Sequence, residues 1–250
     1  MEGNITFSRT TSVGSTSANT LFVASNGDIY VYNNATSPHI DKYTQNQTNG
    51  TVAMYVAGTC YGIFIDIQDN LYCSMESPQQ VVKKSLKTDA NDSIIVAGNG
   101  NTGSGSYMLN GSRGIVVDID LNLYVADSYN HRIQLFRPGQ LNGTTIVING
   151  SNGTLTLNTP TAVALDGDGY LFITDYNDHR ILGSGPGGFR CIVGCTGVEG
   201  AAANQLNHPH RFNFDTYGNL YVIDISNRRL QKFFLSSNSC GEFYQEIVSM

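Results

Sequence analysis

Charge is scarce in this chain, and so are the signatures of most chemistries. Only 14% of its 250 residues are Asp, Glu, Lys or Arg, where soluble domains average about a quarter. Asn and Gly keep the surface polar instead. The 14 basic residues are outnumbered by 20 acidic ones, for a net charge of −6, which argues against the clustered Lys and Arg of a nucleic-acid surface. No apolar run approaches the roughly 18 residues of a membrane helix, and Met1-Glu2-Gly3-Asn4 has neither the basic nor the apolar region of a secretory leader. G-x-S-x-G and C-x-x-C are both absent, which removes the nucleophile elbow and the paired-cysteine redox or zinc motif. No segment calls for a helix.

What the chain does have is a repeat. In residues 109–138 the runs Ile115-Val116-Val117 and Leu123-Tyr124-Val125 flank an Asp/Asn turn, and a third alternation follows at Ile133, Leu135 and Phe136. Period-2 runs between such turns read as short antiparallel strands. Asp118 recurs as Asp166 and Asp215 at intervals of 48 and 49, and as Asp66, 52 residues earlier. A fifth and weakest copy places Ile29-Tyr30-Val31 opposite Leu71-Tyr72-Cys73 at an interval of 42. A period of roughly 40–50 residues with four strands per unit predicts an all-β fold, a β-propeller with one blade per unit.

The chain therefore reads as a single domain, residues 1–250, with blades near 18–58, 60–98, 109–150, 157–195 and 206–248; Ile5–Arg9, within residues 1–14, would be a closing strand. The alternative is a six-bladed domain lacking one blade. An open arc would leave two apolar faces uncovered, which soluble monomers rarely tolerate, so a ring of five is expected. Gly98 to Gly103 matches G-x-G-x-x-G, yet no helix can start after it, so it reads as an inter-blade loop.

Nine Asn-x-Ser/Thr acceptors, at Asn4, Asn34, Asn46, Asn49, Asn91, Asn110, Asn142, Asn149 and Asn152, are about twice what composition predicts and have the pattern of N-glycosylation sites. Five cysteines in such a chain suggest disulfides with one thiol left over. Cys191 pairs with Cys195 and Cys60 with Cys73 in this reading, leaving Cys240. Together these features point to extracellular material without its leader.

Asp127-Ser128-Tyr129-Asn130-His131-Arg132-Ile133, with near copies at Asp175–Ile181 and Asp224–Leu230, resembles the NHL repeat. The first two units depart from it: Met75, Gln79 and Gln80 stand in one, and Asn33 replaces the Asp in the other. The resemblance implies a propeller, usually of six blades. It also implies two functional classes besides binding: RNA recognition, which the net charge opposes, and catalysis as in the amidating lyases, where a zinc-bound His cluster works with Arg and Tyr at the channel.

Within a pseudo-symmetric ring, an interaction that repeats belongs to the scaffold. The pairs Asp127 and Arg132, Asp175 and Arg180, and Asp224 and Arg229 repeat, so they read as carboxylate–guanidinium staples, with His131 and His179 as turn residues. Asp118/Asp120 and Asp166/Asp168 lack the remaining ligands of a calcium loop and read as hairpin turns. The position that varies is the start of each innermost strand: Asn19, Tyr61, Arg113, Thr161 and His210. These five should ring one channel mouth, with Arg113, Tyr61 and His210 the best ligand contacts. His208 and His210 lie on opposite sides of a strand with no histidine from another blade at their level, so neither a metal nor any cofactor is expected. The expected function is non-catalytic display of loops and channel mouth to a protein or glycan partner; the alternative is a channel-mouth lyase or hydrolase.

Overall fold

The computed structural model describes residues 20–235, apart from 46, 48, 89–91, 147–148 and 151–152, together with 243–245. Five four-stranded antiparallel sheets stand as five blades around one axis. Each is a meander whose first strand is innermost. Blade one is Leu21–Val23, Ile29–Asn33, His39–Tyr43 and Thr51–Tyr55; blade two is Cys60–Ile65, Asn70–Met75, Gln80–Ser85 and Ile94–Ala97. Blade three is Ser112–Val117, Leu123–Asp127, Arg132–Phe136 and Thr144–Thr145. Blade four is Pro160–Leu165, Leu171–Asp175, Arg180–Gly183 and Arg190–Val193, and blade five is Pro209–Phe214, Leu220–Asp224, Arg229–Leu235 and Phe243–Gln245. One turn of 3-10 helix, Ser128–Asn130, interrupts the strands. The proposed closing strand Ile5–Arg9 and the fifth cysteine, Cys240, fall outside the described residues.

Alternation puts one set of side chains on each face of a strand, and a blade buries both faces only against its neighbours. The core accordingly divides into four clusters, one per junction. Tyr32, Ile40 and Met54 meet Leu71 and Met75 between blades one and two; Val81 meets Val125 and Phe136 between two and three. Ile133 meets Ile173 and Leu182 between three and four, and Ile181 meets Leu206 and Val222 between four and five. Each fully buried aliphatic or aromatic side chain contributes about 1.5–3 kcal/mol, so the junctions carry the fold.

No such cluster joins blades five and one among the described residues. Leu21 and Val23 of blade one are 60% and 56% exposed, while their equivalents Ile115 and Val117 in blade three are each 6% exposed. On the facing side of blade five, Ile223 and Leu230 are 43% and 37% exposed, where Thr174 and Ile181 of blade four are at 0%. The ring of five is completed here across a cleft.

The aspartates of the repeat tie each blade to the loop before it. Asp127 accepts the Nε–H of Arg132 at 2.6 Å and the backbone N–H of Asn110 at 2.7 Å. Asp175 does the same with Arg180 at 2.9 Å and Asn158 at 2.6 Å, and Asp224 with Arg229 at 2.7 Å and Asn207 at 2.7 Å. The outer nitrogens of Arg132 and Arg229 reach on to loop carbonyls, those of Ser104, Gly105 and Met108 and of Ala201, Ala202 and Gln205. At the opposite hairpins, Asp118 and Asp166 accept backbone N–H groups of their own turns at 2.8–3.0 Å, from Asn122, Asp168 and Tyr170. Blade two has Met75 in place of the Asp, and its Gln79, at the position of His131, accepts the N–H of Gly111 in the loop leading to blade three at 2.7 Å; in blade one Asn33 donates to Asp41 at 3.0 Å.

Cys60 is bonded to Cys73 within blade two, and Cys191 to Cys195 at the end of blade four's outer strand.

Candidate functional site

The innermost strands of blades two to five each open with a β-bulge. The pairing register slips between Cys60 and Gly62, across Arg113 and Gly114, between Pro160 and Ala162, and between Pro209 and Arg211. The extra residues are Tyr61, Arg113, Thr161 and His210, four of the five positions singled out from the repeat; Asn19 lies outside the described residues. A bulge leaves its residue unpaired and turns the side chain out of the ladder. The repeat thus releases one residue from the ladder at the same end of the axis four times over.

Those residues meet. The Arg113 guanidinium lies 5.7 Å from the Tyr61 ring centre and 5.5 Å from that of Tyr129, and donates to the Tyr129 hydroxyl at 3.0 Å, a pair of cation–π contacts. Its Nε is buried with no partner. Thr161 is 3% exposed and donates its hydroxyl to the His210 carbonyl at 2.9 Å, so it ties blade four to blade five and does not present a contact. Tyr61 is held above the ordinary phenol range by burial and by the neighbouring Glu76 carboxylate.

Arg211, next in the chain, was not anticipated. It follows the bulge at the position occupied by Gly62, Gly114 and Ala162 in blades two to four. Small residues are needed there because the next blade presses in: a Cβ on Gly62 would stand 2.5 Å from the Arg113 carbonyl oxygen, and one on Gly114 2.6 Å from Ala162 Cα. Blade five faces the cleft, and a long side chain fits. The signal was present in the alignment of the repeats, as one large cation in a column of small residues.

The Arg211 guanidinium crosses the axis to donate to the Tyr61 carbonyl of blade two. Burial lowers its pKa from the ordinary value, and Arg113 lowers it further, with no carboxylate opposing them. The His210 pKa is pushed down to about 4, by burial first and then by Arg211 and Arg113. Neither arginine forms a salt bridge among the described residues. An acidic protein therefore concentrates two uncompensated guanidinium groups and a neutral imidazole around one end of its axis.

One expectation is corrected nearby. Blade four does supply a histidine at the level of His208: the His179 and His208 rings are 4.5 Å apart, and ligand atoms of His179, His208 and Glu199 lie within 4.8 Å of one another. Hairpin turns bend the chain back at this level, which linear spacing did not show. His208 Nδ1 sits 2.7 Å from the Asn207 amide oxygen and, by donating to it, leaves Nε2 free to ligate. His179 is differently engaged. Its Nδ1 accepts the backbone N–H of His208 at 3.1 Å, which requires the neutral tautomer with hydrogen on Nε2. Burial and His208 both hold its pKa low. His131 does the same one blade earlier, accepting the N–H of Thr159 at 3.0 Å. Both histidines adopt left-handed backbone, with φ of 55° and 53°, and both bridge to the next blade. The third member of the series, Arg228, with φ 53°, is exposed.

Of the acceptor asparagines, Asn34, Asn49 and Asn142 are exposed and Asn110 is half-buried. The side chains of Asn4, Asn46, Asn91, Asn149 and Asn152 lie outside the described residues.

Comparison with known proteins is consistent with this architecture. Residues 109–136 match the NHL repeat family, the stretch in which the repeat is clearest. Comparison with curated protein sequences gives no match. Among solved structures, a streptogramin B lyase superposes with a TM-score of 0.63 at 12% identity, over 96% of this chain and 71% of that one. A chain of the nidogen/laminin complex gives 0.63 at 17%, over 85% and 73%. An auxiliary nutrient binding protein from Bacteroides thetaiotaomicron VPI-5482 gives 0.65 at 17%, over 89% and 60%. At these identities the likeness is one of fold, and proteins sharing a fold differ in function.

Proposed function

Because the chain is a β-propeller containing an NHL repeat, we infer that it works as a rigid binding module, presenting its channel mouth to a protein or glycan partner outside the cell. The observation that carries this reading is the convergence of Tyr61, Arg113 and His210, each released from its strand by a bulge, beside the exposed Tyr129. Arg and Tyr are the residues that dominate binding hot spots, and a mouth fixed by packed blades pays little ordering cost on association. The two disulfides and the acceptor asparagines support an oxidising, extracellular setting.

Screening the oxidised protein against arrays of glycans and of extracellular protein domains tests the mouth. Arg113→Ala and Tyr61→Ala should each weaken the retained partner by about tenfold or more while leaving the melting temperature within a few degrees. A partner retained equally by both variants would refute the assignment. For the compartment, intact mass from a secretory host should fall on enzymatic removal of N-glycans; an unmodified chain with reduced cysteines would return the protein to the cytosol.

A second reading, a metal-assisted lyase, draws on the His179–Glu199–His208 group and on the streptogramin B lyase as a structural neighbour. The hydrogen on His179 Nε2 ranks it below binding. Stoichiometric zinc in the purified protein, lost with a cleavage activity in His208→Ala, would reverse that order.

A further inference from the structure

The cleft between blades five and one is continuous with the axial channel in a cavity of about 550 Å³. Its lining is apolar on both walls: Leu21 and Phe22 on one, Tyr221, Ile223 and Leu230 on the other. Three residues of blade five are in line across it, because Arg211 is paired with Ile223 and Ile223 with Leu230 in adjacent strands. Strand spacing makes that row roughly 10 Å long, running outward from the axis with a cation at its inner end. The equivalent rows in the other blades are small or apolar and closed over: Ala162, Thr174 and Ile181 are 8%, 0% and 0% exposed. Lys232, paired with Tyr221 in the neighbouring strand, is neutralised by Asp215 at 3.6 Å and stacked on Tyr221 and Phe234. Among the described residues Arg211 forms no salt bridge, and Arg113 adds a second positive charge with a buried Nε that has no partner there. Burying a guanidinium without an anion is unfavourable, and a forked donor matched to a carboxylate relieves it.

We propose that this cleft binds an aliphatic carboxylate, its head group on Arg211 and its chain along Ile223 and Leu230 against Leu21. The site is distinct from the mouth contacts of Tyr61 and Tyr129, and the proposal does not depend on a macromolecular partner being found. The cavity lies within the range of about 300–1,000 Å³ typical of small-molecule sites. The charge complementarity selects a carboxylate over a neutral lipid, and the row length suits a chain over a compact ring.

Calorimetric titration of the full chain with decanoate, below its micellar concentration, tests the assignment, with decanol and decyltrimethylammonium as probes of the head group. Saturable binding at one molecule per chain is expected, with decanol and the cation at least tenfold weaker. Arg211→Met and Leu230→Asp should each weaken decanoate tenfold or more, and Arg211→Lys should retain part of the affinity, which guards against loss through misfolding. Equal affinity for decanol and decanoate, or unchanged binding by Arg211→Met, would overturn the proposal. So would a dimer in sedimentation that dissociates on Leu230→Asp, which assigns the cleft to a second copy, or decanoate binding that emerges only once residues 1–19 are removed, which assigns it to the chain's own N-terminal segment. Tyr61→Ala separates the two functions: it should weaken capture of a mouth partner about tenfold or more while leaving decanoate affinity unchanged.

Discussion

Blades four and five meet through the same repeat positions that blades five and one leave apart. At the first junction Ile181 packs on Leu206 and Val222, His179 accepts the His208 N–H, and Thr161 is bonded to the His210 carbonyl. At the second, the residues in those columns are Leu230, Arg228 and His210: an exposed leucine, an arginine with no acceptor nitrogen to offer, and a bulge residue whose neighbour is the long cation Arg211. Three independent columns change character together. The repeat therefore specifies not only a blade but also a forward face, and the fifth copy's forward face differs from those of blades two to four. A single column could drift by chance, but coordinated replacement marks a surface built for a different use.

The comparison can be broken most directly by paired truncations. Ile181→Ala should destabilise the protein by about 2–5 kcal/mol, since it empties a fully buried site that rigid blades on both sides cannot refill. Leu230→Ala, the same position one blade later, should cost about 0.5 kcal/mol or less, as for exposed sites generally. Chemical denaturation of both variants decides the matter. Similar losses would mean that something covers Leu230 in solution and that the cleft is closed.

A smaller effect of opposite chemistry separates the inner columns. Gly114→Ala should cost about 1–3 kcal/mol, because the new methyl would press on the Ala162 backbone and overpacking forces shifts of that order. Arg211→Ala, in the same column, should leave stability unchanged within about 0.5 kcal/mol or raise it, since it removes a half-buried charge that forms no salt bridge among the described residues. Equilibrium unfolding curves again suffice, and a loss from Arg211→Ala equal to that from Gly114→Ala would show that the arginine's bond to the Tyr61 carbonyl holds the ring together.

Much of this architecture was legible because repetition turns weak signals into strong ones. Asp127, Asp175 and Asp224 could be placed in one structural role from their common spacing to an arginine, and the two disulfides followed from cysteines that shared a blade or a turn. The mouth was legible in outline for the same reason: Tyr61, Arg113, Thr161 and His210 occupy one column. What linear spacing could not convey was the bulge, which makes two successive residues inner-facing and so brought Arg211 into the site. Nor could it show the proximity of His179 to His208, which depends on a turn of blade four leaning over the start of blade five. The cleft was hidden for a different reason. Leu21 and Val23 carry the same apolar pattern as Ile115 and Val117, and a pattern records what a face can pack against, not whether a neighbour is there.

The smallest and most local effect concerns His210. Its pKa of about 4 reflects burial first, then Arg211 and Arg113, so between pH 6.5 and about 4 the unfolded chain takes up a proton that the folded one refuses. Stability linked to this group is present above pH 6.5 and is lost as pH falls towards the folded value. Arg211→Met removes the nearer cation and should raise the His210 midpoint, followed by NMR of the imidazole carbons, narrowing that window; in the wild type, a bound carboxylate at Arg211 should move the midpoint in the same direction by neutralising the guanidinium. Leu230→Ala, at the far end of the same row, should leave it where it is. A midpoint indifferent to Arg211→Met would mean that burial and Arg113 depress His210 without Arg211, and the imidazole would then carry no information about the charge in the cleft.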